Sequence, residues 1–411
     1  MTGIEKRHLA FFFLLKNLGG LALTAVYTFY YTDPTKADIY RYFTDSKIIS
    51  SLLFTHPAAW LKVMFSLNPL DADTCRYLQD TLYVSHPGTD IITSNTLLIK
   101  VISVLNYFSF YNIYLNSLLL NCITFAALVL LFKALIPYFG NFPQILYCPL
   151  FLLPSVVFWS SGLLKEALLF IGIALYLSPW LSDRKKSLPQ RLIISSAGFL
   201  IVGLTKVYVA AVLFVCSVFL PVRTENPAKS KLAIRFIVGA GFCLSCWFYF
   251  SHNPVCGLIA DKRNEFVALS IAEHSKSALD TTMIAADCNH LVGLIPEALL
   301  NALLRPFVWE RGNPLQLLFA IENLILLLSM AGLLLFYFKK PESDKAWLAL
   351  FCFAFAVLNY LSIGITVPVL GAIVHYRVIA MPFLLLSVLL MTDTDKLKLH
   401  FTGLYSHEVL K

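Results

Sequence analysis

The chain has 411 residues, of which 58% are hydrophobic and only 14% charged, with a formal net charge of +8 and a mean hydropathy of +0.73. A soluble domain carries about 25% charged residues, so the composition excludes an ordinary soluble enzyme and indicates a polytopic membrane protein. The basic excess lies mainly in loops between apolar runs, where it reflects membrane topology and gives no indication of nucleic-acid binding.

Apolar runs close to the spanning length of about 20 residues predict membrane helices along the whole chain. The N-terminal run follows a basic start and lacks a small-residue cleavage site, which predicts a retained first helix. The runs lie at about 9–31, 112–136, 143–160, 164–181, 232–250, 315–337, 346–364 and 377–391.

The stretch 191–222 is too long for one crossing, because as a single helix it would measure roughly 48 Å against a hydrocarbon core of about 30 Å. Lysines and arginines flank it on both sides, so both ends are expected in the cytoplasm. Only an even number of crossings meets that condition. The sequence therefore predicts a hairpin with Lys206 at its outer tip.

These assignments predict an all-α membrane protein with one membrane domain over residues 1–411 and about ten transmembrane helices. Both termini are predicted to be cytoplasmic, 392–411 being the C-terminal tail, and the loops 32–111 and 252–314 to be extracytoplasmic. Within the first loop, 46–66 and 95–110 are interrupted apolar stretches, typical of interfacial or re-entrant helices. Cys256 and Cys288 share the second loop and can pair if that side is oxidising.

Charged residues at a membrane boundary are costly and indicate a functional site by default. With the predicted orientation, eight of them lie on the extracytoplasmic side, which suggests a site for a polar, anionic substrate presented from the membrane. They are Asp38, Asp45, Lys165, Glu166, Lys206, Arg305, Glu310 and Arg377.

In the first loop, Asp38 and Tyr42 are four residues apart and would share a helix face, with Asp45 one turn further on. A carboxylate just beyond the first membrane helix can act as a general base or hold a cation. The alternative is a solvated acid that helps to cap an interfacial helix.

The segment from Trp159 to Glu166 contains a Ser-Ser-Gly turn that opens a helix. Such a turn exposes backbone N–H groups to an anion, and Lys165 would reinforce it. Glu166 can bind a sugar hydroxyl or pair with a lysine, and Trp159 suits an interfacial belt. Lys206 interrupts an apolar run, where it either faces an anion or extends its side chain to the surface.

Late in the chain, Arg305 and Arg377 are candidates for phosphate binding, because a guanidinium binds phosphate oxygens bidentately. Glu310 follows Arg305 within the predicted interfacial segment and is expected to support it. His375 is a candidate proton shuttle, and an exposed loop histidine is the alternative. Glu322 lies deeper in its helix, where a hydrogen bond to Asn323 or to a neighbouring helix is expected.

Three segments together resemble the membrane glycosyltransferases of the C-type fold and related bacterial polysaccharide polymerases. They are the Asp38–Tyr42 spacing, the turn around FWSSG with its following Lys-Glu, and the His-Tyr-Arg run at 375–377 with Pro382 and Phe383. The resemblance implies Asp38 as general base, and Arg305 and Arg377 as ligands of a lipid-linked phosphate. Family members often carry paired acids in the first loop; Asp38 has no adjacent acid, which leaves a divalent metal an open question.

The sequence therefore predicts a glycosyltransferase of a bacterial cytoplasmic membrane, with no certain cofactor. It would transfer a sugar from a polyprenyl-phosphate donor to an envelope glycan or lipid acceptor on the extracytoplasmic side. The absence of a P-loop or G-x-G-x-x-G motif fits a lipid-linked rather than a nucleotide-linked donor. The alternatives are a polysaccharide-repeat polymerase and a flippase or transporter of lipid-linked glycans.

Overall fold

The computed structural model of the chain describes residues 4–30, 37–65, 70–84, 94–182, 187–221, 255–272, 275, 277–279, 282–310 and 314–400. Regular structure within these ranges is helical, and β pairing is limited to isolated bridges such as Phe338 with Thr392. The chain divides into two compact units. Unit 1 comprises Met1–Ala134, Val156–Pro179 and Arg184–Ala210, and unit 2 comprises Leu135–Ser155, Trp180–Asp183 and Ala211–Lys411.

Within the described ranges, five helices are long and apolar enough to cross a membrane, and a sixth crossing results if one bent pair of helices counts as a single span. The five are Lys6–Phe29, Ile113–Tyr138, Leu188–Thr205, Pro314–Phe336 and Ser343–Thr366. Four of them coincide with predicted runs and Leu188–Thr205 with the first part of the stretch 191–222, so the prediction of an all-helical membrane protein is confirmed at this level. The predicted total of about ten is not confirmed, and the run 232–250 lies outside the described residues.

The first ten helices of the chain lie in or border unit 1. They are α1 (Lys6–Ala25), α2 (Asp38–Thr55), α3 (Pro57–Phe65), α4 (Ala72–Arg76), α5 (Thr96–Ser109), α6 (Ile113–Leu135), α7 (Pro154–Trp159), α8 (Lys165–Leu181), α9 (Leu188–Thr205) and α10 (Val207–Cys216).

Helices α2, α3 and α5 occupy the stretches predicted as interfacial helices. Pro57 separates α2 from α3, since it has no N–H to continue the helix and its ring clashes with the preceding turn. Buried polar groups hold α2 against α5: the Asn106 amide donates to Ser46 Oγ at 3.0 Å and to Ser50 Oγ at 2.9 Å. The helices are confirmed, while their position at the membrane surface stays a prediction.

The long stretch 191–222 is broken where the sequence predicts it. Helix α9 ends at Thr205, Lys206 has an extended backbone with φ −147° and ψ 102°, and α10 begins at Val207. The direction of the chain after this break, and with it the predicted hairpin, stays a prediction.

The prediction of one continuous membrane helix at 143–160 is wrong. The segment forms three short pieces instead, Pro143–Leu146, Cys148–Leu152 and Pro154–Trp159. Each piece carries a proline at its start, and each proline removes a backbone donor and obstructs the preceding turn. Hydropathy does not detect these breaks, because the run stays apolar on both sides of each proline.

Unit 2 is built around one long helix. Its elements are α11 (Val255–Ala272), α12 (Cys288–Leu304), α13 (Pro314–Phe336), α14 (Ser343–Thr366), α15 (Leu370–Tyr376) and α16 (Met381–Leu390). Helix α14 packs against α11, α12 and α16. The contact with α12 is so close that a Cβ atom on Gly364 would lie 2.0 Å from the carbonyl oxygen of Ala298, so only glycine fits there.

Two further features of unit 2 bear on the predictions. Cys256 and Cys288 form a disulfide that joins α11 to α12, a pairing that the sequence left open. The predicted helix at 377–391 is shorter than expected, because the chain bends by 50° between Leu370–Ile379 and Met381–Leu390. Arg377 lies at this bend and is fully buried instead of lying at the open start of a helix.

Candidate functional site

The most unusual side chain in unit 2 is Arg377. Its exposed fraction is 0%, and its Nη1 donates to the carbonyl oxygens of Ala302, at 3.4 Å, and Arg305. These carbonyls belong to the last turn of α12 and its cap, where helix carbonyls have no partner within the helix and carry partial negative charge. A cation at this position is therefore favoured by the end of α12.

The remaining donors of Arg377 have no protein partner. Nε and Nη2 are buried and make no hydrogen bond to any described residue. Leaving buried donors without an acceptor costs about 1–3 kcal/mol each. A guanidinium whose Nε and Nη2 side edge is open in this way is suited to two acceptor oxygens of one anion.

The backbone carbonyl of Arg305 contacts Arg377, but the Arg305 side chain has a different environment. Its Nε contacts Glu310 Oε1 at 3.1 Å, and Glu310 Oε2 accepts from the Phe307 amide at 3.0 Å, which closes a tight turn after the cis peptide bond between Arg305 and Pro306. The Arg305 side chain is 32% exposed. The two arginines predicted to bind phosphate are thus brought together, and Glu310 supports one of them as expected.

Glu322 belongs to the same neighbourhood. Its carboxylate accepts hydrogen bonds from the backbone N–H and the hydroxyl of Ser155, with N···O distances of 2.9 and 3.1 Å. Ser155 follows the proline that opens α7, so its N–H is one of the unpaired amides of a helix start. Glu322 is near enough to Arg377 to interact with it electrostatically, and Tyr360 interacts with both. The expected bond to a neighbouring segment is confirmed, whereas Asn323 bonds the carbonyls of Leu303 and Leu304 instead.

His375, the predicted proton shuttle, is half-buried in the last turn of α15, with its ring 5.1 Å from that of Tyr376. Nothing in this geometry distinguishes a shuttle from a structural histidine, and its role stays a prediction.

In unit 1, Asp38 is exposed in the first turn of α2, and its Oδ1 accepts from the hydroxyl of Tyr83 at 3.4 Å. An acid in this position is favoured by the helix dipole, so the capping interpretation is compatible with the structure. Its exposure also leaves the carboxylate open to a substrate. Tyr42 is buried and donates to Asn95 Oδ1 at 3.2 Å, so it lies in a different environment from Asp38.

Asp45 is fully buried and holds a loop in place. Its two carboxylate oxygens each accept one backbone N–H, from Leu82 and from Tyr83, both at 2.9 Å. Burial raises the pKa of Asp45, and the two backbone hydrogen bonds oppose that rise. The carboxylate is committed to the 82–83 backbone, which makes a structural role the better account of this residue.

The lysines predicted to bind an anion have partners within the protein. Lys206 is 8% exposed, and its Nζ lies 2.8 Å from Oε1 of Glu166, which is 1% exposed. Lys206 was predicted either to face an anion or to extend to the surface. In the structure its ammonium group is buried and forms an ion pair with Glu166. Lys165 is half-buried and donates to Ser94 Oγ at 3.1 Å, and Trp159 is buried rather than placed in an exposed belt.

Sequence reasoning did not single out Lys16 as a site residue. The side chain is 4% exposed in α1, and its Nζ donates to the carbonyl and hydroxyl of Ser160, both at 2.9 Å, and to the hydroxyl of Ser161 at 3.2 Å. The Ser-Ser-Gly turn predicted as an anion site thus binds an ammonium group with its oxygens. The sequence shows a lysine within an apolar run, which indicates a buried charge but does not identify the group that it contacts.

Within the described ranges, no group of three or more His, Cys, Asp or Glu side chains is arranged to hold a metal ion. Comparison with known proteins gives no family model, no characterised protein and no solved structure that matches this chain. The class of the protein therefore rests on its own structure, which is that of an all-helical protein with several helices able to cross a membrane.

Proposed function

We propose that this chain is an integral membrane glycosyltransferase that uses a polyprenyl-phosphate-linked sugar as donor. The observation that supports it best is Arg377, whose Nε and Nη2 are buried without a hydrogen bond to any described residue and whose Nη1 donates to the main-chain carbonyl of Arg305. Two arginines held together in this way suit the phosphate of a membrane-embedded carrier. The acceptor is an envelope glycan or lipid, on the extracytoplasmic side of a bacterial cytoplasmic membrane.

In this proposal the phosphate is the leaving group. An acceptor hydroxyl attacks the anomeric carbon, the bond from that carbon to the phosphate oxygen breaks, and the departing phosphate keeps the electron pair. Arg377 and Arg305 neutralise the charge that develops on it, an effect worth several kcal/mol of barrier in a partly dry site. The resemblance assigns the acceptance of the proton from the acceptor hydroxyl to Asp38 as general base.

Two other residues predicted to take part in the site have partners within the protein. Lys206 is paired with Glu166 and Asp45 is bonded to backbone, so the proposal assigns phosphate binding to the two arginines. Lys165 stays a candidate at the start of α8, and a divalent metal stays an open question.

A second candidate is a flippase or transporter of lipid-linked glycans. A transporter is expected to carry buried charges midway through its membrane helices. Lys16 in α1 and Glu322 in α13 are of this kind, and each is buried against serines rather than against an opposite charge at hydrogen-bond distance. A polysaccharide-repeat polymerase would use the same arginines and needs a second lipid-linked substrate.

The experiment is glycan formation in membrane vesicles supplied with a lipid-linked sugar donor, comparing wild type with Asp38→Asn and Arg377→Ala at matched protein levels. The proposal expects loss of product in both variants. Full activity in Asp38→Asn removes the assignment of this residue as base. Movement of donor across the bilayer without new glycosidic bonds, lost in Glu322→Gln, would favour the transporter.

A further inference from the structure

Unit 2 contains an apolar groove along α13, which we name the α13 groove. It has a volume of about 820 Å³ and is bounded by 145–154, by α13, by α16 and by the helical residues 394–400. The acidic and basic side chains that line it are Glu322 at one end and His400 at the other. From Glu322 to Phe336, α13 rises roughly 21 Å at about 1.5 Å per residue, so the groove has the length of an extended hydrocarbon chain.

The surface around the groove is apolar as well. Leu318, Ile325 and Leu328 on α13 are 55%, 59% and 63% exposed. A helix of membrane-spanning length with such a face is expected to contact lipid. A groove in that face does not attract water, because apolar cavities stay dry and accept apolar ligands. Glu322 does not change this, since Ser155 already bonds its carboxylate.

The end of the groove at Phe336 has a polar rim that is held in place by main-chain pairing. Phe338 and Thr392 form an antiparallel bridge, the Lys339 amide donates to Met391 at 2.9 Å, and the Asp393 amide donates to Tyr337 at 2.8 Å. This pairing fixes the end of α13 against the start of 394–400, and both segments carry lysines.

Lys396 lies at the Phe336 end of the groove. Lys396 Nζ donates to the carbonyl of Phe336 at 3.2 Å and lies 5.6 Å from the centre of the Tyr337 ring. The ring of His400 lies 6.2 Å from that of Tyr337, edge on. The exposed lysines in these two segments are Lys339, Lys340, Lys396 and Lys398, and the exposed acids are Glu342 and Asp395. Lys339 Nζ lies 3.5 Å from the carboxylate of Asp393, and Lys398 Nζ donates to the Asn141 carbonyl at 3.3 Å.

We infer that the α13 groove binds one phospholipid from the leaflet at the Phe336 end of α13, with one acyl chain in the groove and an anionic headgroup at Lys396 and its neighbouring lysines. An acyl chain matches the apolar walls and the length. Basic residues next to a membrane helix attract anionic headgroups. The headgroup position differs from the proposed donor site, because it lies at the Phe336 end of α13, whereas Arg377 interacts with Glu322 at the other end of the groove.

The test uses the full-length protein, freed of lipid in detergent and titrated with phosphatidylglycerol or with phosphatidylcholine of the same acyl chains, with bound lipid counted by native mass spectrometry. Gly332 lines the groove and a Cβ there meets no atom within 4 Å, so Gly332→Leu fills the groove without a clash. Gly293 in α12 is the matched control, because its Cβ would also meet nothing within 4 Å. Ser329→Leu is a second groove-filling variant on the exposed face.

Wild type should bind phosphatidylglycerol more tightly than phosphatidylcholine. Each methylene displaced from an apolar site is costly, so Gly332→Leu and Ser329→Leu should weaken phosphatidylglycerol binding at least about tenfold, while Gly293→Leu leaves it unchanged. Lys396→Gln should reduce the preference for the anionic headgroup. Wild-type affinity in both groove-filling variants would overturn the inference, and so would equal binding of the two lipids by wild type. Displacement of the phospholipid by polyprenyl phosphate, one molecule for one, would also overturn it and would assign the groove to the polyprenyl chain of the proposed donor.

Discussion

Arg377 donates a hydrogen bond from its Nη1 to the main-chain carbonyl of Arg305, 72 residues earlier in the chain. This bond uses the Nη1 of Arg377 and only the backbone of Arg305, so the Nε and Nη2 of Arg377 keep donors for a ligand. It also ties the bend before α16 to the end of α12. A change at either residue is therefore expected to alter both the local fold and the binding of an anion.

The buried pair of Glu166 and Lys206 is expected to matter for stability more than for substrate binding. Removing one partner leaves an uncompensated buried charge, which costs about 3–5 kcal/mol, whereas removing both is often close to neutral. Glu166→Gln and Lys206→Met should each lower the thermal unfolding temperature strongly, and the double variant should recover most of the loss.

A double-mutant cycle by thermal unfolding in detergent measures this coupling. Lys62→Met is a suitable comparison, because Lys62 forms an ion pair with Asp71 on an exposed surface and such pairs contribute little. Additive effects of the Glu166 and Lys206 substitutions would contradict a direct buried pair and return Lys206 to the candidates for anion binding.

Asp45 should make the stability of unit 1 depend on pH in an unusual direction. Because burial raises its folded pKa above the ordinary value of 3.8, the folded state keeps the proton to higher pH than the unfolded state. The stabilising contribution of the protonated form is complete below 3.8 and is lost as pH rises through the folded pKa. Asp45→Asn removes this titration.

The measurement is the difference in unfolding temperature between wild type and Asp45→Asn across the acidic range. The unfolding temperature of wild type should fall relative to that of Asp45→Asn as pH rises. A rise instead would mean that the backbone hydrogen bonds from Leu82 and Tyr83 lower the pKa of Asp45 more than burial raises it. Asp45→Ala removes both acceptors, and leaving two buried amides unbonded should cost about 1–3 kcal/mol for each.

The disulfide between Cys256 and Cys288 provides a test of topology. It closes a loop with a sequence separation of 32, for which the chain-entropy model gives a stabilisation of about 3–4 kcal/mol. Cys256→Ser should lower the unfolding temperature, and reduction of wild type should have a similar effect. In intact cells, a membrane-impermeant maleimide should label these cysteines only after external reduction, and labelling from the cytoplasmic side alone would reverse the predicted orientation.

Local sequence signals predicted a good part of this fold. Apolar length identified five helices that can cross a membrane, and the lysine at 206 marked a helix break. The shared predicted loop made the disulfide possible, and the structure shows that it forms. These features depend on residues close together in the chain or on composition, which is what hydropathy and charge patterns report.

The parts that failed depend on contacts between distant segments. The lysine that pairs with Glu166 is Lys206, which the sequence did not identify, and the serines of the Ser-Ser-Gly turn bind Lys16, which lies 144 and 145 residues away. A charge in an apolar run predicts that a partner exists and does not identify it. Arg305 and Arg377 were found because their residue type suits phosphate, while the hydrogen bond that joins them required the structure.

The most direct measurement is binding of a polyprenyl phosphate and of the matching polyprenol to the purified full-length protein, in wild type, Arg377→Lys and Arg305→Lys. A charge-assisted bidentate contact is lost when arginine becomes lysine, although the charge remains. Wild type should prefer the phosphate by at least about tenfold, a difference of about 1.4 kcal/mol, and Arg377→Lys should lose most of that preference while Arg305→Lys loses part of it. Equal binding of phosphate and alcohol by wild type, or an unchanged preference in both variants, would contradict a phosphate site at these arginines.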